Sequence, residues 1–159
     1  MTEHTDVDVL VVGSGPAGST AARFAAESGA DVMVIERRSK VGVPVRCGEF
    51  MPGLGEIKDM FPNLNDAESL FDIPDRLRCL DIKGIKLVDP KDRVTLLDFD
   101  GYTTDRDLFD QYLMDEAISA GAALETCCRF NNIENGVAKT SDGDIRYKII
   151  IGADGPGSR

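Results

Sequence analysis

The feature that most constrains this chain is the junction at Val7–Gly18. There the β-branched, mostly apolar run Val7–Val12 ends in Gly13-Ser14-Gly15-Pro16-Ala17-Gly18. Such a run reads as a strand buried on both faces. The alanine-rich stretch 16–28, stopped by Gly29, reads as a helix, and Asp31–Glu36 as a second strand. Strand, helix and strand within about 30 residues make a right-handed βαβ unit. The Gly13-x-Gly15-x-x-Gly18 spacing then acquires a physical meaning. Gly13 makes the tight turn, Gly15 lets backbone approach a pyrophosphate, and Gly18 lets helix and strand pack closely. Ser14, Pro16 and Ala17 complete the turn, and the helix N-terminus offers free N–H groups to phosphate. Glu36 closes the second strand 21 residues after Gly15. A carboxylate there accepts hydrogen bonds from ribose hydroxyls and repels a 2′-phosphate. Arg37 follows it directly and is counted among the nucleotide-side residues.

The charge balance narrows the partners. Eighteen Lys and Arg against 28 Asp and Glu give −10 and a pI near 4.5. Duplex-sized phosphate partners need a concentrated basic face, so nucleic acid is excluded as an expectation. Apolar runs such as Val9–Val12 and Ile149–Ile151 fall far short of the ~18 residues of a spanning helix. Met1-Thr2-Glu3-His4 is not a basic leader, and His4 is expected in a disordered lead-in with no role. Cys47, Cys79, Cys127 and Cys128 form no C-x-x-C, and with a single His no metal site is expected. Reduced thiols and a cytoplasmic setting follow.

The length of 159 residues suggests one domain. After the βαβ unit at 7–36 comes a Gly- and Pro-rich loop at 37–55, then an insertion at about 56–103. The insertion is expected to hold one or two short helices within 54–73 and a hairpin of Ile82–Val88 with Arg93–Phe99. Phe61, Leu64, Leu70 and Phe71 are read as core contacts, and Cys79 as a packed thiol. Residues 104–159 read as a helix over 105–120 and returning strands at 123–128, 136–140 and 145–151. Adjacent Cys127 and Cys128 on such a strand would face opposite sides. The last strand runs into Gly152-Ala153-Asp154-Gly155, and a domain seldom ends on a turn aimed at its own ligand. A longer protein is expected, in which residues 1–159 are the N-terminal part of one domain.

Five segments, in order, resemble the N-terminal part of the geranylgeranyl reductase family. They are Gly13–Gly18, Glu36, Pro44-Val45-Arg46-Cys47-Gly48-Glu49, Thr104-Asp105-Arg106-x-x-Phe109-Asp110 and Gly152-Ala153-Asp154-Gly155-x-x-Ser158. The resemblance implies an α/β, Rossmann-like FAD-binding domain of the glutathione-reductase and hydroxylase type, with a parallel sheet and a β-rich insertion. It implies FAD as cofactor and a parent enzyme that reduces carbon–carbon double bonds in polyprenyl chains of membrane lipids. By the same resemblance Arg106 reaches the FAD phosphates, and Asp154 with Gly155 contacts the ribityl chain or pyrophosphate. The resemblance also implies that Cys47 and Gly48 lie beside the isoalloxazine, with Cys47 bordering the substrate alkene as the one catalytic candidate. A prenylated lipid, an external electron donor and peripheral membrane contact are the implied partners. The alternatives are an FAD-dependent monooxygenase or an electron-transfer dehydrogenase, which share the first and last motifs, and, in a different class, a nucleotide-binding fragment without turnover.

Overall fold

The computed structural model describes residues 4–47, 50–71 and 73–158. The chain divides into two compact units, one formed by residues up to Arg46 together with those from Asp107 onward, the other by Cys47–Arg106.

The first unit is built on β1 (His4–Val12), α1 (Pro16–Glu27) and β2 (Val32–Ile35). Its sheet has six strands, and β1 lies inside it, next to β2 on one side and the returning strand on the other. Because β1 is buried on both faces, alternate residues feed two cores. Val9 and Val11 join Ala22 and Ala26 of α1, while Leu10 and Val12 join Ile35, Ala138 and Ile145. Small alanines on α1 let the helix lie close over the sheet. Gly29 ends the helix at φ +87°, with its N–H donating to the Ala26 carbonyl at 2.9 Å.

Two short elements precede that sheet's completion in the second unit: β3 (Phe50–Pro52) and α2 (Leu54–Met60). There follow α3 (Ala67–Phe71) and a hairpin of β4 (Arg78–Val88) and β5 (Val94–Thr104), giving an antiparallel sheet in the order β3-β5-β4. Asp89 ties the hairpin tip, its carboxylate accepting the Lys91 and Arg93 N–H groups at 2.8 and 3.0 Å. Those donors and the Arg93 guanidinium hold this carboxyl below its ordinary pKa.

The chain returns to the first unit through α4 (Arg106–Ser119), whose Met114 and Ala117 complete the core over α1. Then come β6 (Ala123–Glu125), β7 (Phe130–Glu134), β8 (Val137–Thr140) and β9 (Asp144–Gly152). The full order is β6-β2-β1-β9-β8-β7, parallel among the first four strands and antiparallel beyond β9. Among the described residues no helix is long and apolar enough to cross a membrane.

The α/β class, the βαβ unit and the parallel sheet match the expectation from sequence. Several local readings do not. His4 is not in a disordered lead-in: it opens β1 opposite Asp144 of β9, because the parallel ladder continues three residues beyond the apolar run. The strand expected over 123–128 stops at Glu125, and Cys127 adopts φ +61°, outside β geometry. Cys127 is exposed and Cys128 buried by that turn rather than by strand alternation. Burial pushes the Cys128 thiol pKa up. Phe61 and Leu70 are exposed instead of in the core, and so is Cys79, on β4 at the edge of the three-stranded sheet.

Leu10 is fully buried at the centre of β1. Leu10→Ala should cost about 2–5 kcal/mol of unfolding free energy, read by urea denaturation. Leu96→Ala, at a residue 74% exposed on the hairpin, should stay within about 0.5 kcal/mol of wild type.

Candidate functional site

The carboxyl ends of β1 and β9 generate the site. Val12 and Gly152 are register partners, and the Ala153 N–H donates to the Val12 carbonyl at 2.8 Å. Two glycine-rich turns therefore leave the sheet side by side. From β1 the chain crosses through α1 to β2, while β9 lies on the other flank, so the crevice sits where strand order reverses. In open α/β sheets this is the place where ligands bind.

The three motif glycines occupy different environments. Gly13 has φ +105°, and a Cβ on it would lie 2.4 Å from the Ala153 carbonyl oxygen. A Cβ on Gly18 would lie 2.0 Å from the Gly13 carbonyl oxygen. Both sites are closed to any larger residue. Gly15, the N-cap of α1, has nothing within 4 Å of such a Cβ. Its freedom from side-chain bulk opens the helix N-terminus to a ligand, where N–H groups and the helix dipole favour an anion. Pro16 stands at the first helical position, where a missing N–H costs nothing, and Ala17 is exposed beside it.

Glu36 is only 9% exposed. One carboxylate oxygen accepts the Ser14 N–H at 3.2 Å and the Ser14 hydroxyl at 3.0 Å. The other accepts the Arg38 N–H at 2.9 Å. These donors offset the desolvation of a carboxylate placed at the strand end. The Glu36 backbone is fixed as well, its N–H donating to Glu125 at 2.8 Å and its carbonyl accepting from Cys128 at 2.9 Å.

The structure thus gathers Gly13, Ser14, Gly15, Pro16, Gly18 and Glu36 in one crevice. It also brings the β9 turn there, since the Cα of Asp154 lies 3.0 Å from a Cβ built on Gly13. Asp154 and Gly155 are exposed, and Gly155 turns the chain at φ +86°. Arg37 is exposed, while its neighbour Arg38 engages the Glu36 carboxylate through backbone. Cys47, exposed, opens the second unit, and Arg106, half-buried, closes it at the start of α4. Gly48 lies outside the described residues.

Two participants have no role assigned from the sequence. Ala153 supplies the carbonyl that makes Gly13 obligatory. Ser19 is fully buried in α1, its hydroxyl donating to the Ser14 carbonyl at 3.1 Å. The available signal was a hydroxyl in a run where small apolar residues would pack equally well.

Comparison with known proteins bears on this arrangement. The NAD(P)-binding Rossmann-like domain family matches residues 11–66. An uncharacterized protein encoded in the nifH2 5′ region of Methanosarcina barkeri is 35% identical over 99% of this chain and 87% of its own length. Digeranylgeranylglycerophospholipid reductase 1 of Methanothermobacter thermautotrophicus is 35% identical over 98% of the chain. The crystal structure of a geranylgeranyl bacteriochlorophyll reductase-like protein from Thermoplasma acidophilum superposes with a TM-score of 0.79, at 34% identity over 96% of the chain. The chain spans about 40% of the length of each of these last two proteins.

The glycine environments carry a test of the turn. Gly18→Ala should cost at least about 1–3 kcal/mol, the usual range for overpacking, because its obstacle is backbone. Gly152→Ala, with open space around the added Cβ, should unfold within about 0.5 kcal/mol of wild type. Equal denaturation midpoints for the two variants would contradict the packing described.

Proposed function

Because the chain belongs to the geranylgeranyl reductase family, we propose that its crevice holds FAD and that the protein is an FAD-dependent oxidoreductase. Its substrate in this reading is the isolated carbon–carbon double bond of polyprenyl chains in membrane lipids. The observation that carries the cofactor assignment is the pairing of an open Gly15 with the nearly buried Glu36 carboxylate. A pyrophosphate fits above Gly15, at the N-terminus of α1, and a ribose diol fits Glu36. A 2′-phosphate on that ribose would meet a carboxylate, so the site favours FAD over a phosphorylated nicotinamide dinucleotide.

When bound, FAD supplies hydride transfer to the alkene after reduction by an external donor. The chain's own residues supply position. Gly13 and Gly18 keep the turn tight, Ser14 and Glu36 fix its orientation, and Asp154 with Gly155 present the second turn to the flavin side. Arg106 is assigned to the phosphates and Cys47, with Gly48, to the ring and the alkene. These roles follow from the family resemblance of their segments, as does a cytoplasmic enzyme that meets its lipid at the membrane surface.

FAD titration followed by flavin fluorescence tests the assignment. Glu36→Ala should weaken FAD binding about 10–150-fold, the equivalent of one lost charge-assisted hydrogen bond. Wild-type affinity in that variant would remove Glu36 from the cofactor site. Dithionite-driven reduction of a prenylated lipid tests the reaction. There Cys47→Ser should alter turnover or product distribution with bound FAD unchanged, and Cys79→Ser should alter neither.

A further inference from the structure

The hydrogen bonds around Ser14 show how the phosphate turn is aimed. Ser14 is buried and held from both ends. Its N–H and hydroxyl donate to Glu36, and its carbonyl accepts from the Ser19 hydroxyl at 3.1 Å. A serine within a helix usually returns its hydroxyl to the carbonyl four residues back. Here the Gly15 carbonyl accepts the Ser19 N–H at 2.9 Å, and the Ser19 hydroxyl passes beyond it to Ser14. The other neighbour of that hydroxyl is the Met114 sulfur at 3.6 Å, on α4.

The Ser14 carbonyl and the Gly15 N–H belong to one planar, trans peptide, so they point in opposite directions. Holding the carbonyl toward the buried Ser19 turns the Gly15 N–H away from the helix interior. That N–H donates to no group among the described residues, and the space beside Gly15 is open. We propose that Ser19 is a positioning residue of the nucleotide site, aiming the Gly15 N–H at the pyrophosphate by fixing the Ser14–Gly15 peptide plane. The inference rests on the dinucleotide reading above and adds a residue one helical turn behind the ligand.

The role separates phosphate from ribose recognition. Adenosine carries the diol that Glu36 reads and no phosphate, whereas ADP carries both. Isothermal titration of the whole chain with each ligand therefore distinguishes aiming from general structural support. Ser19→Ala should raise the ADP Kd about tenfold, near the value of one hydrogen bond, and leave the adenosine Kd within about twofold of wild type. Ser19→Cys restores side-chain bulk but only a weak donor. It should follow the alanine variant in ADP binding, and it remains a test if alanine unfolds the protein. Glu36→Gln should weaken both ligands.

Wild-type ADP affinity in both Ser19 variants, equal loss of ADP and adenosine, or full recovery by cysteine would each overturn the assignment to Ser19. In the first and third cases wild-type ADP binding leaves the dinucleotide site standing. A wild-type chain that binds neither ADP nor FAD would overturn that site and the Ser19 role with it.

Discussion

The contact on which the nucleotide crevice depends is the approach of the β1 turn to the β9 turn at Gly13 and Ala153. A carbonyl oxygen sits where any side chain at position 13 would begin. The short Ala153 to Val12 hydrogen bond locks the two strand ends at that distance. From this closure follow the tightness of the turn and the seating of Gly18 beneath it. The exposed N-terminus of α1 follows too. Sequence spacing alone names the glycines; the neighbouring turn at Ala153 supplies the reason Gly13 is irreplaceable, and the Gly13 carbonyl the reason Gly18 is.

Glu36 joins two tasks that are usually discussed separately. Its carboxylate is a candidate acceptor for ribose, and it is already an acceptor for the first turn of the motif and for the chain that follows β2. A buried anion costs free energy unless donors surround it. Three donors from two segments meet that need. The same group therefore also shapes the phosphate turn. Replacing it removes a brace of the turn together with the candidate acceptor for ribose.

Legibility in the sequence tracked how local the determining interactions are. The βαβ unit was readable because the apolar run, the glycine spacing, the alanine helix and the terminal acid all agree. The helix before Gly121 was readable from its period. His4 was misread because its order comes from pairing with Asp144, far along the chain. β7 was missed because Phe130–Glu134 carries little apolar alternation and is held mainly by pairing with β8. Cys127 escaped because its φ of +61° belongs to a turn whose N–H reaches the Arg38 carbonyl. In the site, Glu36 and the glycines were evident from spacing, whereas Ser19 depends on which carbonyl its hydroxyl chooses, a choice no one-dimensional pattern records.

Sheet order also sets a sequence of events in time. The ladder between β1 and β2 closes a short loop, so the first half of the crevice can assemble as soon as residues 4–36 emerge from the ribosome. The ladder between β1 and β9 must wait until nearly all of this chain has been made, since the residues of the whole second unit come between the two strands in sequence. Contacts so distant along the chain form slowly, because loop closure precedes their reward. The Gly13 turn therefore spends the interval without the carbonyl that tightens it. One edge of β1, with the apolar side chains of its second core, stays unpaired until β9 arrives, and that nascent strand is the part of the molecule most in need of protection from wrong partners.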